Sequence, residues 1–87
     1  MVSQQIIIKN AEGLHARPAT EIAKTATKYT STVELDVMGN KYNAKSVLNI
    51  MSAGIKNGTQ ITVICDGVDE KEALARVMQT FQENSLI

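Results

Sequence analysis

The strongest constraint on this chain is an alternation that occurs twice. Thr32 to Val37 places Val33, Leu35 and Val37 on one side and Thr32, Glu34 and Asp36 on the other. Gln60 to Asp66 repeats the pattern, with Ile61, Val63 and Cys65 facing inward. A period of two with one apolar face predicts half-buried strands, and polar alternates predict that the sheet's other face meets water. A further strand is expected at Gln4 to Lys9, where Ile6, Ile7 and Ile8 run together.

Between these runs the period changes. Ala16, Ala19, Ile22, Ala23, Ala26 and Tyr29 recur at three- and four-residue spacing, which predicts an amphipathic helix over Ala16 to Tyr29. Its alanine-rich face suits close packing. Met38-Gly39-Asn40 reads as a hairpin loop, with Lys41 to Ala44 as the returning strand. Ser46 to Ala53, closed by Gly54, reads as a short capped helix. Asp69 with Glu72 resembles a capping box opening a last helix, whose stripe is Ala73, Leu74, Val77 and Phe81, bordered by Met78. The predicted order is βαββαβα. Short connections favour an antiparallel sheet, and one apolar face per helix favours a two-layer α+β domain.

At 87 residues the chain is long enough for one domain. Hydrophobic residues are 44% and charged residues 21%, which predicts a folded chain. Nine basic and nine acidic side chains cancel, leaving no electrostatic footprint for nucleic acid. Tyr29, Tyr42 and Phe81 are the only aromatics, too few for a base-stacking sheet. Cys65 is single and reads as a small core residue. One cysteine and one histidine cannot form a structural zinc site. No acid–base pair or glycine-rich nucleotide loop suggests a stand-alone enzyme, and no cofactor is expected. The first residues lack a charged leader before an apolar stretch, and no run reaches membrane-spanning length, so cytoplasm is the expected location.

Chemistry concentrates in Gly13-Leu14-His15-Ala16-Arg17-Pro18-Ala19. Proline is accepted in a helix only within the first turn, so Pro18 predicts a helix start near Ala16 and puts His15 at or next to the N-cap. The amides of Ala16 and Arg17 then lack helical partners and favour an anion. The Arg17 guanidinium fits phosphate oxygens. From the residues alone two readings stand: an ordinary surface histidine, or a nucleophile poised to accept a phosphoryl group.

This segment resembles the active-site signature of the HPr family, the histidine-containing phosphocarriers of the bacterial sugar phosphotransferase system. The resemblance spans essentially the whole chain. It implies an open-faced β-sandwich, with four antiparallel strands covered on one face by three helices. It implies that enzyme I, phosphorylated from phosphoenolpyruvate, transfers phosphoryl to Nδ1 of His15. IIA domains of sugar permeases then receive it, with Arg17 and the Ala16 and Arg17 amides neutralising the phosphate. Leu14, Leu48 and Met51 are expected as exposed apolar contacts around the site, although Met51 fits the core equally well.

The resemblance also implies regulation at Ser46. In low-GC Gram-positive relatives the matching serine is phosphorylated by an ATP-dependent kinase/phosphorylase, which recruits a catabolite-control repressor. Lys45 precedes it here as it does there. The usual isoleucine, methionine and glycine after the serine are replaced by Val47, Leu48 and Asn49, and Ala53 precedes Gly54. Asn49 is expected to put a polar amide on a contact face. A family member used only for regulation lacks the histidine, whereas His15 is present here. The remaining expectations are a monomer, no direct nucleic-acid binding and no membrane insertion. The competing reading is a regulatory binding module acting through phosphorylated Ser46.

Overall fold

The computed structural model describes all residues from Met1 to Ile87. The elements are β1 (Val2–Ile7), α1 (Ala16–Thr27), β2 (Thr32–Val37), β3 (Asn40–Asn43), α2 (Val47–Ser52), β4 (Gln60–Asp66) and α3 (Glu70–Glu83). The four strands form one sheet in the order β1-β4-β2-β3, and every neighbouring pair is antiparallel. The register aligns Leu35 with Val63 and Val33 with Cys65, so the two alternating runs share one apolar face. The helices cover that face with Ala19, Ile22, Ala23 and Ala26 from α1, Ile50 from α2, and Ala73, Val77 and Phe81 from α3. This is the open-faced α+β sandwich that the alternation and the resemblance together imply.

Element ends moved for physical reasons. β1 begins at Val2 and stops at Ile7 rather than spanning Gln4 to Lys9. Ile8 is fully buried but outside the ladder; its amide donates to Thr59 and its carbonyl accepts from Gly58. α1 ends at Thr27, and its last carbonyls accept from the amides of Lys28 and Tyr29. The β2–β3 turn is tighter than expected. Val37 pairs with Asn40, and Met38 and Gly39 both have positive φ, 53° and 90°, as a two-residue hairpin turn of matching twist requires.

Asp69 does not form the expected capping box. Its carboxylate makes no side-chain bond to its own helix. It accepts instead from the amides of Thr30 and Ser31, each at 3.0 Å, and from the Ser31 hydroxyl. Two loop amides and a hydroxyl outweigh one helical amide, so the residue locks the α1–β2 corner to α3. Gly67 lies against the same corner, where a Cβ would sit 2.6 Å from Ser31 Cα. The Ser31 hydroxyl, then the Thr30 amide, pull the Asp69 carboxyl from 3.8 down to about 2. A pKa lowered by folding contributes stability above its ordinary value, and that stability disappears as pH falls through about 2. Denaturant unfolding should therefore show stability dropping between these values, with a shallower drop in Asp69→Asn. Some slope will remain, because the N-terminal ammonium and the Gly67 amide also lower Glu70.

The helices are joined by a buried polar contact. The hydroxyls of Thr25 and Thr80 lie 2.7 Å apart between α1 and α3, and each also approaches the carbonyl four residues earlier. Cys65 is fully buried beneath α3, and its thiol is pushed up to about 11 by burial first and then by Glu70 and Asp69. It is a core residue, not a nucleophile.

Candidate functional site

His15 is held by the loop between β1 and α1. The loop is tied down at its start, where the Lys9 amide donates to Leu86. Asn10 braces the interior, its side-chain amide donating to the Gly13 carbonyl at 2.8 Å. Gly13 has a φ of 67° and passes directly over Ile55 and Lys56. The Leu14 amide then donates to the Ile55 carbonyl at 3.0 Å. These contacts fasten the loop to the segment after α2 and deliver the chain to the helix start in one orientation.

His15 is the N-cap of α1, with extended φ and ψ of −90° and −172°. Its carbonyl accepts the first helical bond, from Ala19 at 3.0 Å. Its imidazole makes no capping bond and remains 43% exposed. Pro18 is buried in the first turn, which anchors the helix start to the core. Ala16 and Arg17 are exposed, and their amides have no intrahelical partner. No carboxylate pairs with the Arg17 guanidinium. An exposed imidazole, two amides without helical partners and an arginine without a carboxylate partner therefore share one exposed helix end, chemistry suited to holding a phosphoryl group.

Leu14 corrects an expectation. It is 6% exposed, so its side chain belongs to the core beneath the loop and not to an apolar docking face. The Leu14–Ile55 backbone bond turns that side chain inward. Leu48 and Met51 are exposed, at 80% and 42%, on the outer side of α2, which settles Met51 away from the core. Val47 is only half-buried, and Ile50 alone supplies the helix's fully buried contact.

Ser46 caps α2 as expected, its hydroxyl oxygen accepting from the Asn49 amide at 3.2 Å. Asn49 differs from its expected role. Its side-chain oxygen accepts from the Asn43 amide at 2.8 Å, so the amide braces the β3–α2 corner instead of offering itself to a partner. Lys45 is also engaged, its ammonium donating to the Tyr29 carbonyl beyond the end of α1. Ser46 therefore sits near the far end of α1, and His15 near its beginning. At 12 residues that helix is about 18 Å long. Lys45, just before Ser46, is thus tied to the end of α1 opposite the His15 imidazole.

One neighbour of His15 escaped the reading of the sequence. Glu12 Oε1 lies 3.9 Å from His15 Nε2. The three-residue spacing was visible, but nothing in it told whether the loop would turn this carboxylate toward the ring.

A groove on the surface lies elsewhere. It measures about 460 Å³ and is lined by Gln5, Ile7, Lys9, Gln60, Gln82 and Ile87 among others, none of them expected site residues. His15 stands on open surface, the setting for contact with another protein rather than enclosure of a small molecule. No group of histidine, cysteine and acidic side chains is arranged to hold a metal ion. No helix is long and apolar enough to cross a membrane.

Comparison with known proteins agrees with this geometry. The family model described as the PTS HPr component phosphorylation site matches residues 2–83. The chain is 42% identical to the phosphocarrier protein HPr of Mycoplasma genitalium over 84 residues, covering 95% of this chain and 96% of that one. It is 41% identical to the HPr-like protein Crh of Bacillus subtilis over 83 residues, covering 95% and 98%. A solved histidine-containing phosphocarrier protein of Mycoplasma superposes with a TM-score of 0.97 at 38% identity, covering 99% and 98%. Solved Crh, at 39% identity, TM-score 0.75 and coverage of 100% and 99%, is described as a swapped dimer, so a monomer does not follow from the likeness. The family model matches nearly the whole chain and the solved phosphocarrier shares its fold, so the chain belongs to the HPr family of phosphocarrier proteins.

Proposed function

We propose that His15 accepts a phosphoryl group from phosphorylated enzyme I and passes it to IIA domains of sugar permeases. The observation that carries this reading is the free imidazole at the N-cap of α1, beside the unpaired amides and an unpaired Arg17. The lone pair of Nδ1 attacks phosphorus, and the bond from phosphorus to the donor atom of enzyme I breaks with its electrons returning to the donor. The Ala16 and Arg17 amides and the Arg17 guanidinium oppose the negative charge on the phosphoryl oxygens. The return step to IIA reverses the roles. The chain supplies position and charge, and acts as a covalent intermediate rather than a stand-alone catalyst. Leu48 and Met51 serve as apolar contacts for both partners.

Ser46 is the proposed regulatory position, modified by an HPr kinase/phosphorylase and read by a catabolite-control repressor. Phosphate there adds about two negative charges beside Leu48, on the helix that partners dock against. The relation to Crh supports a second reading, in which phosphorylated Ser46 is the main output and the chain acts as a regulatory binding module.

Incubation with enzyme I and phosphoenolpyruvate separates the two. The carrier reading expects one phosphate per chain, stable in base and lost in acid, which moves on when a IIA domain is added. Uptake only from a kinase and ATP, in an acid-stable form, would favour the regulatory module and defeat the carrier.

A further inference from the structure

We infer that Glu12 is a positioning residue for phosphoryl acceptance, holding the His15 proton on Nε2 so that the lone pair stands on Nδ1. The inference rests on the phosphocarrier reading of His15.

A neutral imidazole has one N–H and one lone pair, and only the nitrogen with the lone pair can attack phosphorus. Which nitrogen that is depends on what each faces. The Glu12 carboxylate, an acceptor without a proton to give, lies 3.9 Å from Nε2. Its charge favours the N–H at that nitrogen. Nδ1 has no competing duty, because the imidazole makes no capping bond to its own helix. As Nδ1 forms its bond to phosphorus, the donor's bond to phosphorus breaks, its electrons staying with the donor, and the His15 ring gains positive charge while keeping its Nε2 proton. The carboxylate opposes that charge too. Arg17 is the cationic residue of this same helix end, and it serves the phosphoryl oxygens. The acidic partner of the ring is Glu12, from the loop.

Glu12 is 80% exposed on its side chain, so the effect is bounded by that of a solvated pair. Loss of the charge should change the ratio of the two tautomers by about twofold to fivefold. Salt at about 1 M, with a screening length of about 3 Å, should mimic the loss in the unaltered protein.

The test uses the full chain labelled with ¹⁵N, in mildly alkaline solution without phosphate donor. Histidine ring nitrogen shifts report the tautomer ratio. The expected result is an Nε2–H excess in the unaltered protein that falls about twofold to fivefold in Glu12→Gln and falls similarly at about 1 M salt. The initial rate of uptake from enzyme I should fall by a similar factor, with capacity still one phosphate per chain. Unaltered protein that takes phosphate, with Glu12→Gln matching it in tautomer ratio and rate, would overturn this inference alone. Unaltered protein that takes no phosphate would overturn the carrier reading and this inference with it. The salt arm requires no variant, so a ratio indifferent to salt also counts against the role of Glu12.

Discussion

His15→Ala is expected to reduce phosphate uptake from enzyme I and phosphoenolpyruvate to background, a loss on the order of 10³-fold or more, as removal of a covalent nucleophile produces. The fold should survive. The imidazole is 43% exposed and makes no capping bond, so its removal leaves no buried group without a partner. The change in unfolding free energy should stay within about 0.5 kcal/mol, as for other surface positions. Uptake from a kinase and ATP at Ser46 should be unaffected, since that hydroxyl lies near the other end of α1. A chain that folds normally, still accepts at Ser46 and takes nothing from enzyme I would isolate the defect to the imidazole. Retained uptake in the folded variant would remove His15 from the chemistry.

Gly13→Ala is expected to have the largest structural effect near the site. Gly13 has a φ of 67°, a conformation that costs an L-residue about 1–2 kcal/mol. Its missing Cβ also matters. An added one would overlap the Ile55 carbonyl oxygen and lie 2.8 Å from Lys56 Cα, both of them backbone atoms. Relieving that overlap requires the loop to lift, at a further cost of about 1–3 kcal/mol on the scale of overpacked sites. Lifting breaks the Leu14–Ile55 bond and exposes Leu14, which is buried in the intact protein. The expected outcome is a loss of about 2–5 kcal/mol in denaturant unfolding, together with slower uptake in whatever fraction remains folded. Gly39→Ala provides the comparison, since a Cβ there meets nothing within 4 Å and only the backbone cost applies.

Much of the fold was legible because its signals are local. Two alternating runs with the same apolar parity can share one buried face only if they pair in register, and Leu35 opposite Val63 is that register. Pro18 located the start of α1, since its ring tolerates no later helical position. His15, Ala16 and Arg17 then followed as cap and first turn. What escaped the reading depends on contacts distant in sequence. Asp69 resembled a helix cap because Glu72 follows it, but the partners that outcompete its helix are Thr30 and Ser31, nearly forty residues earlier. Leu14 looked like a docking residue beside His15 until Ile55 captured its amide and turned its side chain inward. Asn49 likewise looked like a surface amide, and its partner, the Asn43 amide, became visible only with the corner folded. Apolar periodicity reports which face of an element is buried, and it does not report which polar group a loop will bring to meet another.

The most direct measurement is the identity of the phosphorylated atom. The chain, labelled with ¹⁵N at histidine and incubated with enzyme I and phosphoenolpyruvate, should show one phosphate per molecule with phosphorus bonded to Nδ1 of His15. The bond should be lost in acid and should vanish when a IIA domain is added. Phosphorus on any other residue, or none after complete reaction of a control phosphocarrier, would contradict the assignment of His15 as the carrier.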